Sequence, residues 1–232
     1  MRENLAIVLL VAGRGTRLGG DLPKCLTQLT PGGPTILDHQ LRGVAGLAVR
    51  PVMAVVGHKR DMVQAAHPEL DFVVNERYAE TNTSKSLLGA LGQINGCDVL
   101  WLNGDVVFDP AIVPLLLQRG ASCMAVNTAQ CADEEIKYAT DPGGRIVRVS
   151  KQVRDGEGEA VGINLVKAAD LELFKRCLSR CEDRDYFERG LELAIQSGMQ
   201  LYPVDIGDHP CVEVDFPEDL ERATRQFRSG ER

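Results

Sequence analysis

Apolar residues fall into short, nearly unbroken runs separated by longer stretches with helical spacing. Residues 5–11 are all apolar and read as a buried first strand. Further strands are predicted at 51–57, 71–74 and 97–102, the last with Val99, Leu100, Trp101 and Leu102 in succession. Helices are predicted between them at 35–47, 59–66 and 84–94. Pro110 opens another helix at its first turn, and 121–126 returns to strand. Alternating strands and helices with such hydrophobic strands predict an α/β fold of Rossmann-like type, a mostly parallel sheet with helices on both faces.

From about residue 136 the rhythm changes. Segments 136–140, 145–149 and 159–166 are shorter, partly alternating strands, with Pro142-Gly143-Gly144 as a turn. Helices at 168–181 and 185–197, a strand pair at 200–205 and 211–214, and a last helix at 217–227 follow. No repeat, low-complexity tract or long linker interrupts the chain. One domain over 1–232 is expected, with a small β-rich lobe inserted in it.

At 232 residues one large domain can bury a generous core, and 44% apolar with 25% charged residues is ordinary for a globular chain. The net charge of −7 disfavours a nucleic-acid partner. No apolar run approaches the ~20 residues that span a bilayer, so no membrane partner is expected. The start, MRENLAIVLL, runs into the first strand without a cleavage-site pattern, as a mature cytoplasmic protein would. A homodimer is left open. Seven cysteines are scattered singly; Cys177 and Cys181 lie four apart, but no second pair completes a zinc site. Reduced, mostly buried thiols are expected. Cys25 is the exception to watch, since Lys24 beside it could favour a thiolate, although a spectator thiol is the expected reading.

Directly after the first strand come Gly13, Gly15 and Gly19, two arginines, Arg14 and Arg17, and then Pro23-Lys24. Glycines let the backbone approach a ligand and turn its N–H groups inward, while cations neutralise phosphate charge. At the carboxyl end of the first strand of an α/β sheet, such a loop binds a polyphosphate. Two better-known phosphate loops do not match. Leu18 stands where the dinucleotide fingerprint needs its third glycine, and Lys24 lies between Pro23 and Cys25 rather than in Gly-Lys-Ser/Thr.

The run from Val11 to Leu18, followed by Pro23-Lys24, resembles AAGxGxRL then PK, with Val11 for the first alanine. That is the signature of the nucleotidyltransferases that activate sugar phosphates and related small phosphates. The resemblance implies the nucleotide-diphospho-sugar transferase fold, with a nucleotide-binding half over about 1–130 and an acceptor and metal half over about 131–232. It places Ala12, Gly13 and Gly15 against the nucleotide and makes Arg14, Arg17 and Lys24 the catalytic cations.

Asn103-Gly104-Asp105 ends the fourth strand, where open α/β sheets place ligand groups. Downstream, alternation in Glu213-Val214-Asp215 puts two carboxylates on one face, about 7 Å apart. Carboxylates from two strand ends suit Mg²⁺, which takes a few of them plus phosphate oxygens and water. Separately each is ordinary, since an Asp after a strand is usually a turn former. Together with the loop, Asp105, Glu213 and Asp215 resemble the same family's Mg²⁺ site, where an E-x-D precedes a D-L helix; here VEVDFPEDL.

Residues 75–87, NERYAETNTSKSL, offer Asn82, Thr83 and Ser84 as helix N-caps. The stretch also resembles the N-x-x-Y-x-x-x-N-x-x-x-S-L pattern of phosphocholine and phosphonate cytidylyltransferases. That likeness implies CTP as the nucleotide, with Asn82, Ser84, Ser86 and Asp105 on the nucleotide side. Glu135-Ile136-Lys137, Ser150-Lys151 and 158–163 follow the order in cytidylyltransferases that take aminoethylphosphonate-like acceptors. Lys137 and Lys151 would then clamp a phosphonate, or else be solvated surface lysines. Choline would call for an aromatic box. Trp101 reads as strand core, Tyr186 and Phe187 could form part of a cage, and Ile136 stands where an aromatic is expected. Glu159, Asp185 and Glu188 would instead meet a primary ammonium, or remain solvated acids.

The implied reaction is transfer of CMP from CTP to a small phosphonate or phosphate monoester, best matched by 2-aminoethylphosphonate, with release of pyrophosphate. The four histidines are dispersed and no Ser/His/Asp arrangement supplies a base. Alternatives are a phosphocholine cytidylyltransferase, a sugar 1-phosphate enzyme using UTP or dTTP, and a non-catalytic nucleotide-binding module. A nicotinamide oxidoreductase is disfavoured by Leu18 and by Gly57-His58, where an acid would end the second strand.

Overall fold

The computed structural model describes residues 4–18, 21–47, 51–129 and 135–227. In chain order the first half carries β1 (Leu5–Leu10), α1 (Ile36–Val44), β2 (Val52–Val56), α2 (Arg60–Ala66), β3 (Asp71–Val74), α3 (Thr83–Leu91), β4 (Asp98–Asn103), β5 (Val106–Phe108), α4 (Ile112–Arg119) and β6 (Cys123–Asn127). The second half carries β7 (Lys137–Thr140), β8 (Ile146–Ser150), β9 (Glu159–Val166), α5 (Ala168–Ser179), α6 (Phe187–Gln196), β10 (Tyr202–Asp205), β11 (Cys211–Glu213) and α7 (Pro217–Phe227).

The main sheet runs β10-β6-β9-β4-β1-β2-β3. β1 is parallel to β2 and β4, and β2 to β3, as the hydrophobic strands predict. Side chains of β1 alternate between two cores. Ala6, Val8 and Leu10 face α3, α5 and α6, whereas Leu5, Ile7 and Leu9 face α1 and α4. Trp101 is core, as expected: Phe174 stacks on it at 5.4 Å and Phe187 meets it edge-on at 5.5 Å. Phe187 is thereby taken out of any aromatic cage.

Three features depart from the expected pattern. β9, grouped by its sequence with the shorter strands, runs antiparallel through the main sheet between β4 and β6. The β7–β8 hairpin is what flanks the sheet, joined to β9 at Lys137 and Glu159. The strands predicted at 200–205 and 211–214 do not pair with each other: β10 joins β6, and β11 joins β5, a three-residue strand the pattern did not reveal. The β5–β11 ribbon has its own small core, in which Val107, Val212 and Val214 meet Ala223 of α7.

Candidate active site

Leu10 of β1 sits opposite Asn103 of β4, so the segments leaving both strands emerge side by side at the carboxyl edge of the sheet. Gly104 is required at this crossing, because a Cβ there would lie 2.4 Å from the Leu10 carbonyl oxygen. Gly15 has a φ of +56°, and a Cβ on it would fall 2.5 Å from the Lys24 Cβ. The loop can therefore wrap onto Lys24 only with glycine at this position. Gly13 has open space around it, Ala12 is buried, and Gly19 lies outside the described residues.

Lys24 donates to Asp105 at 2.7 Å and to Asp215 at 2.5 Å. Burial opposes its charge, but the two carboxylates outweigh burial and hold its pKa above the ordinary lysine value. The backbone makes this meeting of distant segments firm. Val214 N–H donates to the Asp105 carbonyl at 2.9 Å, which ties the end of β11 to the end of β4. The Asp219 carboxylate, in the first turn of α7, accepts from the N–H groups of Asp215 and Phe216 at 3.1 and 2.9 Å. From α1, the buried Gln40 donates to the carbonyls of Asn103 and Val106 at 2.7 and 2.9 Å, clamping the corner that carries Asp105. Arg17 reaches Asp215 at 3.2 Å and lies 5.4 Å from the Phe216 ring.

Lys24, Asp105, Asp215 and Arg17 line a cavity of about 550 Å³, with Arg14 and Gly15 on the loop side and Arg184 and Tyr186 also in its lining. Arg14 lies 5.9 Å from the ring of Tyr78, which brings the first loop to the NERY segment. Asn82 acts as a cap, accepting from Thr83 N–H at 2.8 Å. Ser84 is 0% exposed and Ser86 accepts from Asn75 inside the protein, so neither hydroxyl is presented to a base. Their expected place on the nucleotide side is at odds with this burial, since α3 packs both hydroxyls inward. Cys25 has the burial of a spectator thiol, and no thiolate forms there. The thiol is 2% exposed, and burial pushes its pKa up to about 12 despite the neighbouring lysine.

A divalent ion fits the donor set in part. Asp105 Oδ1 is buried without a partner. The Glu213 carboxyl is pushed up to about 8 by burial and by Asp105, Glu135 and Asp215, a concentration of acid answered mainly by Lys24. Among the described residues, however, no three acid, histidine or cysteine side chains form a cage unaided, so Asp105, Glu213 and Asp215 would need phosphate oxygens and water to complete the shell.

The acceptor residues divide. Lys151, Tyr186 and Glu188 line a second cavity of about 370 Å³, where the Lys151 ammonium stands 5.9 Å from the Tyr186 ring. Glu188 is not a solvated acid. Burial pushes its pKa up to about 7, and Oε2 has no partner. Glu159 lines a separate acidic cavity of about 230 Å³ with Glu135 and Glu213. Lys137 is 8% exposed and lines none of the three, because its stem packs under the 156 position, so the two-lysine clamp is corrected. Arg184 escaped the sequence reading. Its only signal is a lone cation between Asp183 and Asp185, just ahead of Tyr186.

Residues 7–154 match the model of the MobA-like NTP transferase domain. The chain belongs to the MobA-like NTP transferase family. It is 30% identical to the CMP-5'-(3-aminopropyl)phosphonate synthase of Streptomyces rubellomurinus over 95% of its length, and 34% identical to the bifunctional protein GlmU of Acidithiobacillus ferrooxidans over 68%. It spans 38% and 32% of those relatives' own lengths. In fold this MobA-like domain is similar to the CTP:phosphocholine cytidylyltransferase LicC of Streptococcus pneumoniae, with a TM-score of 0.76 at 15% identity, covering 96% of this chain and 99% of that one. The inositol-1-phosphate CTP transferase of T. maritima gives a TM-score of 0.77 at 19% identity, covering 99% and 98%. The nucleotide-diphospho-sugar transferase fold expected from the loop is therefore the one adopted.

Proposed function

We propose that this MobA-like domain is a cytidylyltransferase, passing CMP from CTP to a small phosphonate or phosphate monoester with Mg²⁺ as cofactor. The acceptor class is an aminoalkylphosphonate of the 2-aminoethylphosphonate kind. The observation that carries the reading is Lys24, held between Asp105 and Asp215 beside a glycine- and arginine-rich loop. The Streptomyces relative, whose name specifies a CMP-aminopropylphosphonate product, supports the choice of nucleotide and acceptor.

An acceptor oxygen attacks the α-phosphorus of CTP in line. The new O–P bond forms as the bond to the bridging oxygen breaks, and that oxygen leaves with its electron pair on pyrophosphate. The nucleophile is already charged at neutral pH, since the second pKa of such groups lies near ~6, so no general base is needed. The Gly13 and Gly15 amides with Arg14 and Arg17 hold the β- and γ-phosphates, and Lys24 neutralises charge on the α-phosphate. Asp105 and Asp215, with Glu213 behind them, would hold Mg²⁺, which supplies further charge neutralisation when bound.

Pyrophosphate release with Mg²⁺ tests this, using CTP, UTP, dTTP, ATP and GTP against 2-aminoethylphosphonate, 3-aminopropylphosphonate, phosphocholine and glucose 1-phosphate. Turnover with CTP and a phosphonate is expected. Turnover with UTP or dTTP and glucose 1-phosphate would keep the site and overturn base and acceptor. Tight CTP binding without turnover across the panel would favour a binding module.

A further inference from the structure

Arg184 stands where two cavities meet, lining both the cleft of the glycine loop and the cavity of Lys151, Tyr186 and Glu188. Acids flank it, yet its guanidinium has no ion pair among the described residues. Those acids are engaged elsewhere: Asp183 accepts from Arg77 at 2.6 Å, and Asp185 accepts from Glu182 N–H at 2.8 Å. In the same cavity Arg189 and Glu192 pair with each other at 3.2 Å. A guanidinium left without a carboxylate inside a cleft presents a planar fork of donors to phosphate or phosphonate oxygens.

The loop that carries it is held in place. Asn82 N–H donates to the Asp183 carbonyl at 2.7 Å and Ser84 N–H to that of Asp185 at 3.3 Å. The Asn82 amide donates to the Arg184 carbonyl at 3.3 Å. The Thr83 hydroxyl accepts from Phe187 N–H at 3.0 Å, satisfying the first turn of α6 from another helix. The start of α3 thus pins the backbone on both sides of Arg184.

Resting on the transfer reaction above, we infer that Arg184 binds the phosphonate or phosphate of the acceptor, rather than the nucleotide. Arg14 and the glycine amides belong to the first loop, which lines only the first cavity. Arg184 comes from the segment before α6 and is shared with the second cavity, where Lys151 adds another cation. Arg184 lines the cavity of Lys24 as well as that of Lys151, so an anion bound by it would share a cavity with Lys24.

Calorimetric titration with 2-aminoethylphosphonate, and separately with CTP and Mg²⁺, tests the assignment on the full chain. Arg184→Gln should weaken phosphonate binding about tenfold or more while CTP affinity stays within about twofold, and Arg184→Lys should recover part of the loss. Arg184 is exposed, so unchanged thermal unfolding is the expected folding control. An equal loss of CTP affinity, unchanged phosphonate affinity, or no phosphonate binding by the wild type overturns it. Pyrophosphate release reports on the transfer reaction separately: phosphonate binding that depends on Arg184, without turnover in the wild type, would sink the reaction and uphold the anion site.

Discussion

Lys24, Glu188 and Cys25 show how far a side chain's chemistry depends on what surrounds it. Two carboxylates hold the Lys24 ammonium, and a nucleotide phosphate would compete with them for it. Lys24→Ala should slow turnover at least about a hundredfold, ~2.7 kcal/mol of barrier. Near-normal pyrophosphate release by the folded variant would remove Lys24 from the chemistry. Glu188 keeps its proton because it is buried, with a pKa of about 7 against an ordinary value of 4.5. Between those values the native state holds a proton that the unfolded chain has lost, so stability falls as pH rises, by an amount of order 3 kcal/mol in total. Glu188→Gln, neutral throughout, should be more stable than wild type at about pH 8 and level with it at about pH 4. Urea unfolding at the two pH values checks this, and an equal pH trend in both proteins would mean that Glu188 ionises freely. Cys25 should resist iodoacetamide in the native state at neutral pH, because its thiol titrates far above neutrality. Rapid labelling of that position, read by mass spectrometry, would contradict its burial.

Among the elements, the helix starts and strand ends do the positioning. The glycine loop, the Asn103-Gly104-Asp105 corner and the α7 start were legible because each joins a hydrophobic run to turn-forming or acidic residues. Gln40 was not. Its place in α1 reads as one more polar position, and only the fold shows its amide between the carbonyls of Asn103 and Val106. Gln40→Leu leaves both carbonyls buried and unpaired, which should cost roughly 1–3 kcal/mol in denaturant unfolding. A neutral effect would mean that the corner is held by β5–β11 alone. The 82–86 segment was legible as a helix start, but the burial of its serines was not. A capping sequence specifies where a helix begins, whereas the direction of its next turn depends on what packs against it.

Taken whole, the molecule closes its site with residues far apart in sequence: Lys24 from the first loop, Asp105 after β4 and Asp215 before α7. Ligand binding should therefore stabilise the entire fold. CTP with Mg²⁺ at a hundredfold excess over its Kd should add about 2.7 kcal/mol by mass action and raise Tm accordingly. Chelation of the metal should remove most of that shift; an equal shift with EDTA present would show that the nucleotide binds without the metal.

Local sequence sufficed to specify the α/β class and most of the element sequence through hydrophobic periodicity, and the glycine- and arginine-rich loop through its composition, because those depend on neighbours a few residues apart. Pairing decided the rest. β9 enters the sheet antiparallel, β10 and β11 take separate partners, Glu188 and Lys137 are buried, and Arg184 reaches two cavities. Burial and the sharing of a cleft are properties of surfaces brought together by folding, and chain spacing carries no record of them.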